Sequence, residues 1–452
     1  MYSRYSFKVN HTTSKLLMSL VSIALLLSIA RLTAFTLKPF ADELVSLTAN
    51  TGFFINFDFR AGNNLLGGQG YSYSVLNSSG PFSAIGSTLT WLIYKDIYLA
   101  RMFNFIFVLL LNTIISYSIC NYFQLDKRYV IFSNLTIVTI PWWYGSLYSL
   151  GELPSVIVFF YAMVIFNKNR VLSVLLFSFS IFFSKLILLL FFGGFYLIYI
   201  FTDSYYHKKI NLSKFTKDFL IFLLPLSLWL LLIHIYSDYG ISQYFDDVVN
   251  YLILNHQSSD TSLFTNFSFS NIKMVIQNMK WSPVDIYKVL IFPIFTIFTL
   301  LKNKDFMTRV LKFEVNSFIA SISVFYFWFW ILSTTKWIKY SSQMVYICLG
   351  AVLLIFFVTL SKKNRTQTIL ISISLLPFVS SLSVLFISSL LLAFSFSQKK
   401  YLINTWILIF ILSGSNLLVE TTLKDTFEVN MKDCTEQLLN DSCQEYYLGI
   451  KF

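Results

Sequence analysis

Apolar runs of about 20 residues recur along the whole chain. A run of that length crosses the hydrocarbon core of a bilayer as a helix, so this feature limits the fold more than any other. The runs fall near 17–37, 98–120, 129–147, 153–167, 171–202, 218–236, 285–301, 315–333, 341–360, 367–397 and 401–419. Of the 452 residues, 56% are hydrophobic and 12% are charged, about half the charge of a soluble domain. That balance excludes a soluble enzyme, a disordered chain and a secreted disulfide scaffold. It predicts an all-α polytopic membrane protein.

The net charge of +12 matters less than where the charges fall. Lys and Arg gather at alternate gaps between the runs: Arg4/Lys8/Lys15, Lys127/Arg128, Lys168/Arg170, Lys208/Lys209/Lys214/Lys217, Lys302/Lys304/Arg309/Lys312, Lys362/Lys363/Arg365 and Lys399/Lys400. Cytoplasmic loops carry the basic excess. All seven clusters are therefore placed inside, with the N-terminus cytoplasmic and the C-terminus extracytoplasmic. The first run has basic residues before it and no small-residue cleavage site, so it reads as a retained helix. Residues 1–419 then form the membrane domain, with outside loops at 38–97 and 237–284, and 420–452 form a short outside tail.

Two runs do not fit single crossings. Residues 171–202 and 367–397 are each flanked on both sides by inside clusters, so charge parity requires each to cross twice. Split in two, each gives legs of about 22–24 Å, short of the roughly 30 Å core. The hairpin tips, Ser184-Lys185 and Leu376-Pro377, are then expected below the outer interface. Counting both as pairs gives about 13 transmembrane helices. The first loop is rich in glycine between Gly62 and Gly86, which marks loop. Ala41–Phe54 and Phe82–Tyr94 have mixed patterns that suit helices lying on the membrane surface.

Charged residues on the outer side are the candidates for chemistry. Asp42-Glu43 follows the first run directly. Glu152 lies in the short turn Gly151-Glu152-Leu153-Pro154. Lys185 stands in Phe183-Ser184-Lys185-Leu186 with no polar loop around it, and Lys339-Tyr340 lies in another short outside turn. Arg101, Asp58 and Arg60 are further candidates, for which a helix-mouth arginine and a solvated ion pair are equally good explanations. The bland alternative for Asp42-Glu43 is a solvated loop, and for Lys185 a lysine snorkelling to the interface. Against that, a charge at mid-membrane costs about 2.5–3.5 kcal/mol on insertion scales, so a submerged lysine is expected to face a cavity and await an anion such as a lipid phosphate. The sequence holds no Walker loop, Cys-x-x-Cys, His-Glu-x-x-His or internal repeat, which argues against an ATPase, a redox enzyme and a zinc protease.

These features resemble the GT-C superfamily of integral membrane glycosyltransferases, which includes the protein O-mannosyltransferases and the aminoarabinose transferases of lipid A. The resemblance covers about 1–360. Asp42-Glu43 matches the family's acidic pair in the first loop. Gly80-Pro81 through Arg101 resembles its entry to the second helix, Ser184-Lys185 its intramembrane Thr/Ser-Lys, and Lys339-Tyr340 its late Arg-Tyr. What the resemblance implies is transfer of a sugar from a polyprenyl-phosphate carrier to a saccharide or lipid acceptor at the outer face of a bacterial inner membrane, with no nucleic acid partner. Asp42 would be the base. Lys185, Lys339, Tyr340 and Arg101 would hold the donor phosphate, and Glu43, Glu152 and Asp58 would orient the acceptor. A divalent metal shared by Glu43 or Glu152 stays open, because lysines can neutralise the phosphate instead. Two departures stand out: Lys339 replaces an arginine and loses its bidentate geometry, and only a short tail follows the last helix. The short tail is similar to that of O-antigen glucosyltransferases. Two other readings stay open: an O-antigen polymerase or ligase, and a lipid-linked saccharide transporter or flippase, which broken hairpins would also suit.

Cys434 and Cys443 share the outside tail, on the oxidising face, and are expected to form a disulfide. The short loop they close gives a stabilisation on the order of 2–3 kcal/mol. A thiol count on the denatured, non-reduced protein should find Cys120 and Cys348 alone. Four free thiols would refute the pairing.

Overall fold

The computed structural model describes residues 82, 85–94, 97–139, 152–208, 211–236, 241–242, 245, 286–309, 311–332, 338–361, 365–378, 388, 392, 402 and 405–409. Every regular element among them is helical. In chain order they are α1 (Ile85–Tyr94), α2 (Ile97–Phe123), α3 (Arg128–Thr139), α4 (Glu152–Ile165), α5 (Arg170–Phe182), α6 (Leu188–His207) and α7 (Leu212–Tyr236). A π-turn (Tyr287–Ile291) then opens α8 (Phe292–Lys302), followed by α9 (Lys304–Arg309) and α10 (Val315–Phe327), which ends in a second π-turn (Trp328–Leu332). Last come α11 (Ile338–Ser361) and α12 (Arg365–Leu375), which tightens into a 3₁₀ turn at Leu376–Phe378.

Among the described residues the apolar runs and the helices coincide. The run 171–202 divides into α5 and α6 around Ser184-Lys185, as expected. The other expected hairpin cannot be followed past Phe378, because most of its second leg lies outside the described residues. Among the described residues, four helices are long and apolar enough to cross a membrane: Leu99–Phe123, Leu188–His207, Leu212–Leu232 and Ser341–Leu360. Further apolar helices are shorter, including Leu153–Ile165, Arg170–Phe182 and Val315–Ile331. The expected count of about 13 includes runs outside the described residues. One leg differs from expectation. α6 has 20 residues, about 30 Å, because it continues beyond the apolar run through Asp203 to His207.

That extension is possible because Asp203 is neutralised. The chain forms two compact units. In the unit that includes α4–α10, five helix termini meet at one end through paired charges. Arg170, opening α5, donates from Nε to both carboxylate oxygens of Asp218 in α7 (2.8 and 2.6 Å). Its Nη1 donates to the Tyr199 hydroxyl. The Tyr196 hydroxyl donates to Asp218 at 2.6 Å, and Lys214 bonds Asp203 at 2.8 Å. The Arg170 guanidinium lies over the rings of Tyr199 (4.4 Å) and Phe166 (4.9 Å). Beside it, the Asn167 amide at the end of α4 donates to the Glu314 carboxylate (2.7 Å) and the Lys312 carbonyl (2.8 Å) before α10. Burial pushes the Glu314 carboxyl above its ordinary range, and the Asn167 bond opposes this. Asp218 is buried, and a buried carboxylate is tolerated only when it is paired and hydrogen-bonded, as here.

Away from this basic end the packing is apolar and close. α6 and α10 run antiparallel. Phe191 stacks on Phe325 at 4.1 Å, and the Ser321 hydroxyl donates to the Phe191 carbonyl at 2.8 Å. A Cβ on Gly194 would lie 2.9 Å from the Ala320 carbonyl oxygen. Small residues allow such approach between membrane helices, where hydrophobic drive is weak. In α7, Pro225 removes one helix hydrogen bond, and Ser178 donates its hydroxyl to the Phe222 carbonyl at 2.5 Å in the preceding turn. The carbonyl that loses its helical donor to Pro225 is that of Ile221, so the Ser178 bond is an additional tie between α5 and α7.

The other unit includes the C-terminal half of α2 with α3, the end of α11 and α12. Its α2–α3 contact is polar. The Asn112 amide donates to Ser133 (3.1 Å) and Asn134 (2.8 Å), Ser116 donates to Ser133 (2.9 Å), and the Asn134 amide donates to Thr113 (2.8 Å). Phe132 packs against Phe356 and Trp406 beside it.

Adjacent glycines in α6 give a paired test. Gly194→Ala should cost about 1–3 kcal/mol, because its Cβ meets backbone. Gly193→Ala meets nothing within 4 Å and should be neutral or stabilising by up to about 1 kcal/mol. Thermal unfolding in detergent would distinguish them, and equal effects would contradict the packing.

Candidate functional site

Opposite the basic end, the α5–α6 hairpin reverses within five residues, Phe183–Ile187, without glycine or proline. Lys185 N–H closes α5 on the Ser180 carbonyl (2.9 Å), and the Lys185 carbonyl accepts from Leu188 N–H (3.1 Å) to start α6. The carbonyl of Phe183 accepts from outside the hairpin: Phe82 N–H, at the end of the first long loop, donates to it at 3.0 Å. The Phe82 ring packs edge-on against Phe179 (4.8 Å) and Phe107 (5.8 Å). Phe183 stacks on Phe179 (5.3 Å) and meets the edge of Trp229 in α7 (5.2 Å). α1 follows directly and lies close on α2, since a Cβ on Gly86 would stand 2.9 Å from Phe107 Cβ.

This arrangement fixes where the tip meets α2. Phe82 contacts α2 at Phe107, ten residues into the helix, which is about 15 Å of rise from its start. The tip therefore meets α2 part-way along its length rather than at its start. Lys185 is half-buried there. Next to it the Ser184 hydroxyl is fully buried and has no hydrogen-bond partner among the described residues. Arg101, 1% exposed, lies on α2 about 9 Å of rise from Phe107 toward the start of the helix. Arg101, Asp218 and Lys288 are the buried charged side chains among the described residues, and Asp218 belongs to the basic-end network.

The sequence-predicted residues fall as follows. Lys185 and Arg101 lie toward the same end of one unit. Glu152 is the first residue of α4, and Lys339 and Tyr340 lie in the first turn of α11. α4 ends and α10 begins at the basic end, and α11 starts six residues after α10 stops, so these backbones lie at the hairpin-tip end. Asp42, Glu43, Asp58, Cys434 and Cys443 lie outside the described residues. The segment 85–94 is the helix expected near the first loop, whereas 41–54 lies outside the description. Sequence reasoning missed Phe82 as the residue that closes the tip; its place between Gly80-Pro81 and a helix was the available signal. Among the described residues, no cluster of three His, Cys, Asp or Glu could hold a metal. Aromatic rings at the tip suit an apolar chain, and the cations beside them suit an anion.

No protein-family model matches the sequence, and no curated protein matches it. Solved structures do match. ArnT from Cupriavidus metallidurans, in the apo state and bound to undecaprenyl phosphate, superposes with a TM-score of 0.52 at 14% identity, over 90% of this chain and 77% of that one. The chain has the fold of ArnT. ArnT is a lipid A aminoarabinose transferase of the GT-C class, the class that the sequence resembles. At this identity the likeness concerns fold alone.

Ser184→Ala deletes a buried hydroxyl that bonds nothing described. Unfolding should therefore shift by no more than about 0.5 kcal/mol. A loss of about 2 kcal/mol or more would reveal a structural partner for it.

Proposed function

We propose that this membrane protein is a GT-C glycosyltransferase that moves a sugar from a polyprenyl-phosphate donor to a saccharide or lipid acceptor at the outer face of a bacterial inner membrane. The observation that carries this reading is a fold shared with a protein solved with undecaprenyl phosphate, in which Lys185 stands at the tip of the α5–α6 hairpin. A cation inside the hydrocarbon layer must face an anion or a watery cavity. A lipid phosphate entering sideways brings its charge to that depth while its chain stays in lipid.

The chemistry asks little beyond placement. The bond between the sugar anomeric carbon and the phosphate oxygen breaks, and the acceptor oxygen bonds that carbon. The acceptor proton goes to a base, and the lipid phosphate leaves with the electron pair. Asp42 is the proposed base, and Glu43, Glu152 and Asp58 would orient the acceptor. Lys185, Arg101, Lys339 and Tyr340 would stabilise the departing phosphate, an electrostatic contribution that is strong where water is excluded. A divalent metal shared by Glu43 or Glu152 would be compatible with the same scheme.

The test is transfer of a labelled sugar from a synthetic undecaprenyl-phosphate donor by the purified protein. Asp42→Asn should lower turnover about 10²-fold or more while donor binding persists. Lys185→Met should weaken undecaprenyl phosphate binding about tenfold without loss of folding, since an apolar side chain suits lipid. Wild-type donor affinity in Lys185→Met would show that the lysine only snorkels. Full turnover in folded Asp42→Asn would remove Asp42 as base.

A further inference from the structure

The end of α6 and the start of α7 hold more positive charge than their own acids can answer. From Asp203 to Asp218 the sequence carries Lys208, Lys209, Lys214 and Lys217 against those two aspartates. Both aspartates are already engaged. Asp203 accepts from Lys214 at 2.8 Å and from the Tyr199 hydroxyl at 3.2 Å. Asp218 accepts from Arg170 and from the Tyr196 hydroxyl, each at 2.6 Å. Lys208 and Lys217 are exposed. Neither ammonium has a hydrogen bond or ion pair among the described residues.

Each of these two lysines stands where an apolar stripe ends. On α7, Leu220, Leu224, Leu228 and Leu231 are exposed at helical spacing along one face, and Lys217 lies one turn before Leu220 on that face. On α6, Leu197, Phe201 and Tyr205 are exposed four residues apart, and Lys208 follows three residues on. In a bilayer such faces meet acyl chains. The rings of Tyr205 and Tyr206, 81% and 74% exposed, suit the headgroup level, where tyrosine is enriched.

Lys208 also holds its place at a backbone cost. Its φ of 50° and ψ of 23° are left-handed, a conformation that glycine or asparagine adopts more easily at a helix end. Its side chain makes no polar contact among the described residues in return. An outlier of this kind points to a role outside the packing. A cation at the end of an acyl-lined stripe matches one ligand chemistry, a phosphate joined to hydrocarbon. Charge parity assigns this end to the cytoplasmic leaflet, whose anionic lipids attract lysines near the surface.

We propose that the exposed face of α6 and α7 at the basic end binds anionic phospholipid of the inner leaflet. Lys208 and Lys217 contact the headgroups, and the stripe on α7 lies along an acyl chain. This surface is independent of the donor reading, because it lies at the opposite end of these helices from the hairpin tip.

The test titrates dioleoyl phosphatidylglycerol into the purified full-length protein in mixed micelles and reads retained lipid by native mass spectrometry. Phosphatidylcholine with the same chains is the zwitterionic control. Wild type should retain phosphatidylglycerol about tenfold better. Replacing both lysines, Lys208→Gln with Lys217→Gln, should remove most of that preference, whereas arginine at both positions should keep it. Lys208→Gly should lower the preference about fivefold, while the unfolding temperature stays level or rises by about 1–3 °C. Equal retention of the two lipids by wild type would overturn the inference, as would a wild-type preference in the double glutamine variant. A lower unfolding temperature in Lys208→Gly with its preference intact would assign Lys208 to the fold instead. Displacement of the lipid by soluble glycerol phosphate at equal concentration would also overturn it, since the acyl chain would then add nothing.

Discussion

A backbone that reverses direction inside hydrocarbon must find partners for its amides and carbonyls, and this requirement governs the unit that bears the candidate site. The tip of the α5–α6 hairpin meets Phe82 beside Phe107, part-way along α2 and away from its start. Its carbonyl at Phe183 is therefore satisfied by Phe82 N–H, its rings pack on Phe82, Phe107 and Trp229, and its remaining polar atoms sit on Ser184 and Lys185. Each consequence follows from the number of residues between two basic clusters.

The basic end meets the converse requirement. There Arg170, Asp218, Tyr199, Asp203 and Lys214 draw the termini of α5, α6 and α7 together, with Asn167 and Glu314 adding α4 and α10. Pairing, hydrogen bonds and ring contacts together make it tolerable to hold Asp218 away from water. With these termini held, the opposite ends of the helices, where the candidate residues lie, are positioned by rise and packing alone.

Helices and their breaks were legible in the sequence because hydropathy and run length act locally. The hairpin at Ser184-Lys185 followed from charge parity and length, and it is present. The length of α6 was not legible, since the run of apolar residues ends before Asp203 and only Lys214 from α7 explains why the helix goes on. Pro293 was visible, but whether a proline kinks, stops or widens a helix depends on what packs around it. Lys288 lies inside the run 285–301, and its burial shows only in the structure. The acidic pair Asp42-Glu43 was singled out by position and by family resemblance.

The bond from Phe82 to Phe183 also bears on the order in which the protein is assembled. Phe82 is synthesised about a hundred residues before Phe183, so α1 and α2 are available before the hairpin emerges. A leg as short as α5 has little tendency to insert alone, and its tip carbonyl would meet lipid unsatisfied. Its partner is already in place. The hairpin is thus the late arrival onto a surface that precedes it, and lesions at Phe82 or Gly86 should appear first as failures of membrane insertion, ahead of any failure of chemistry.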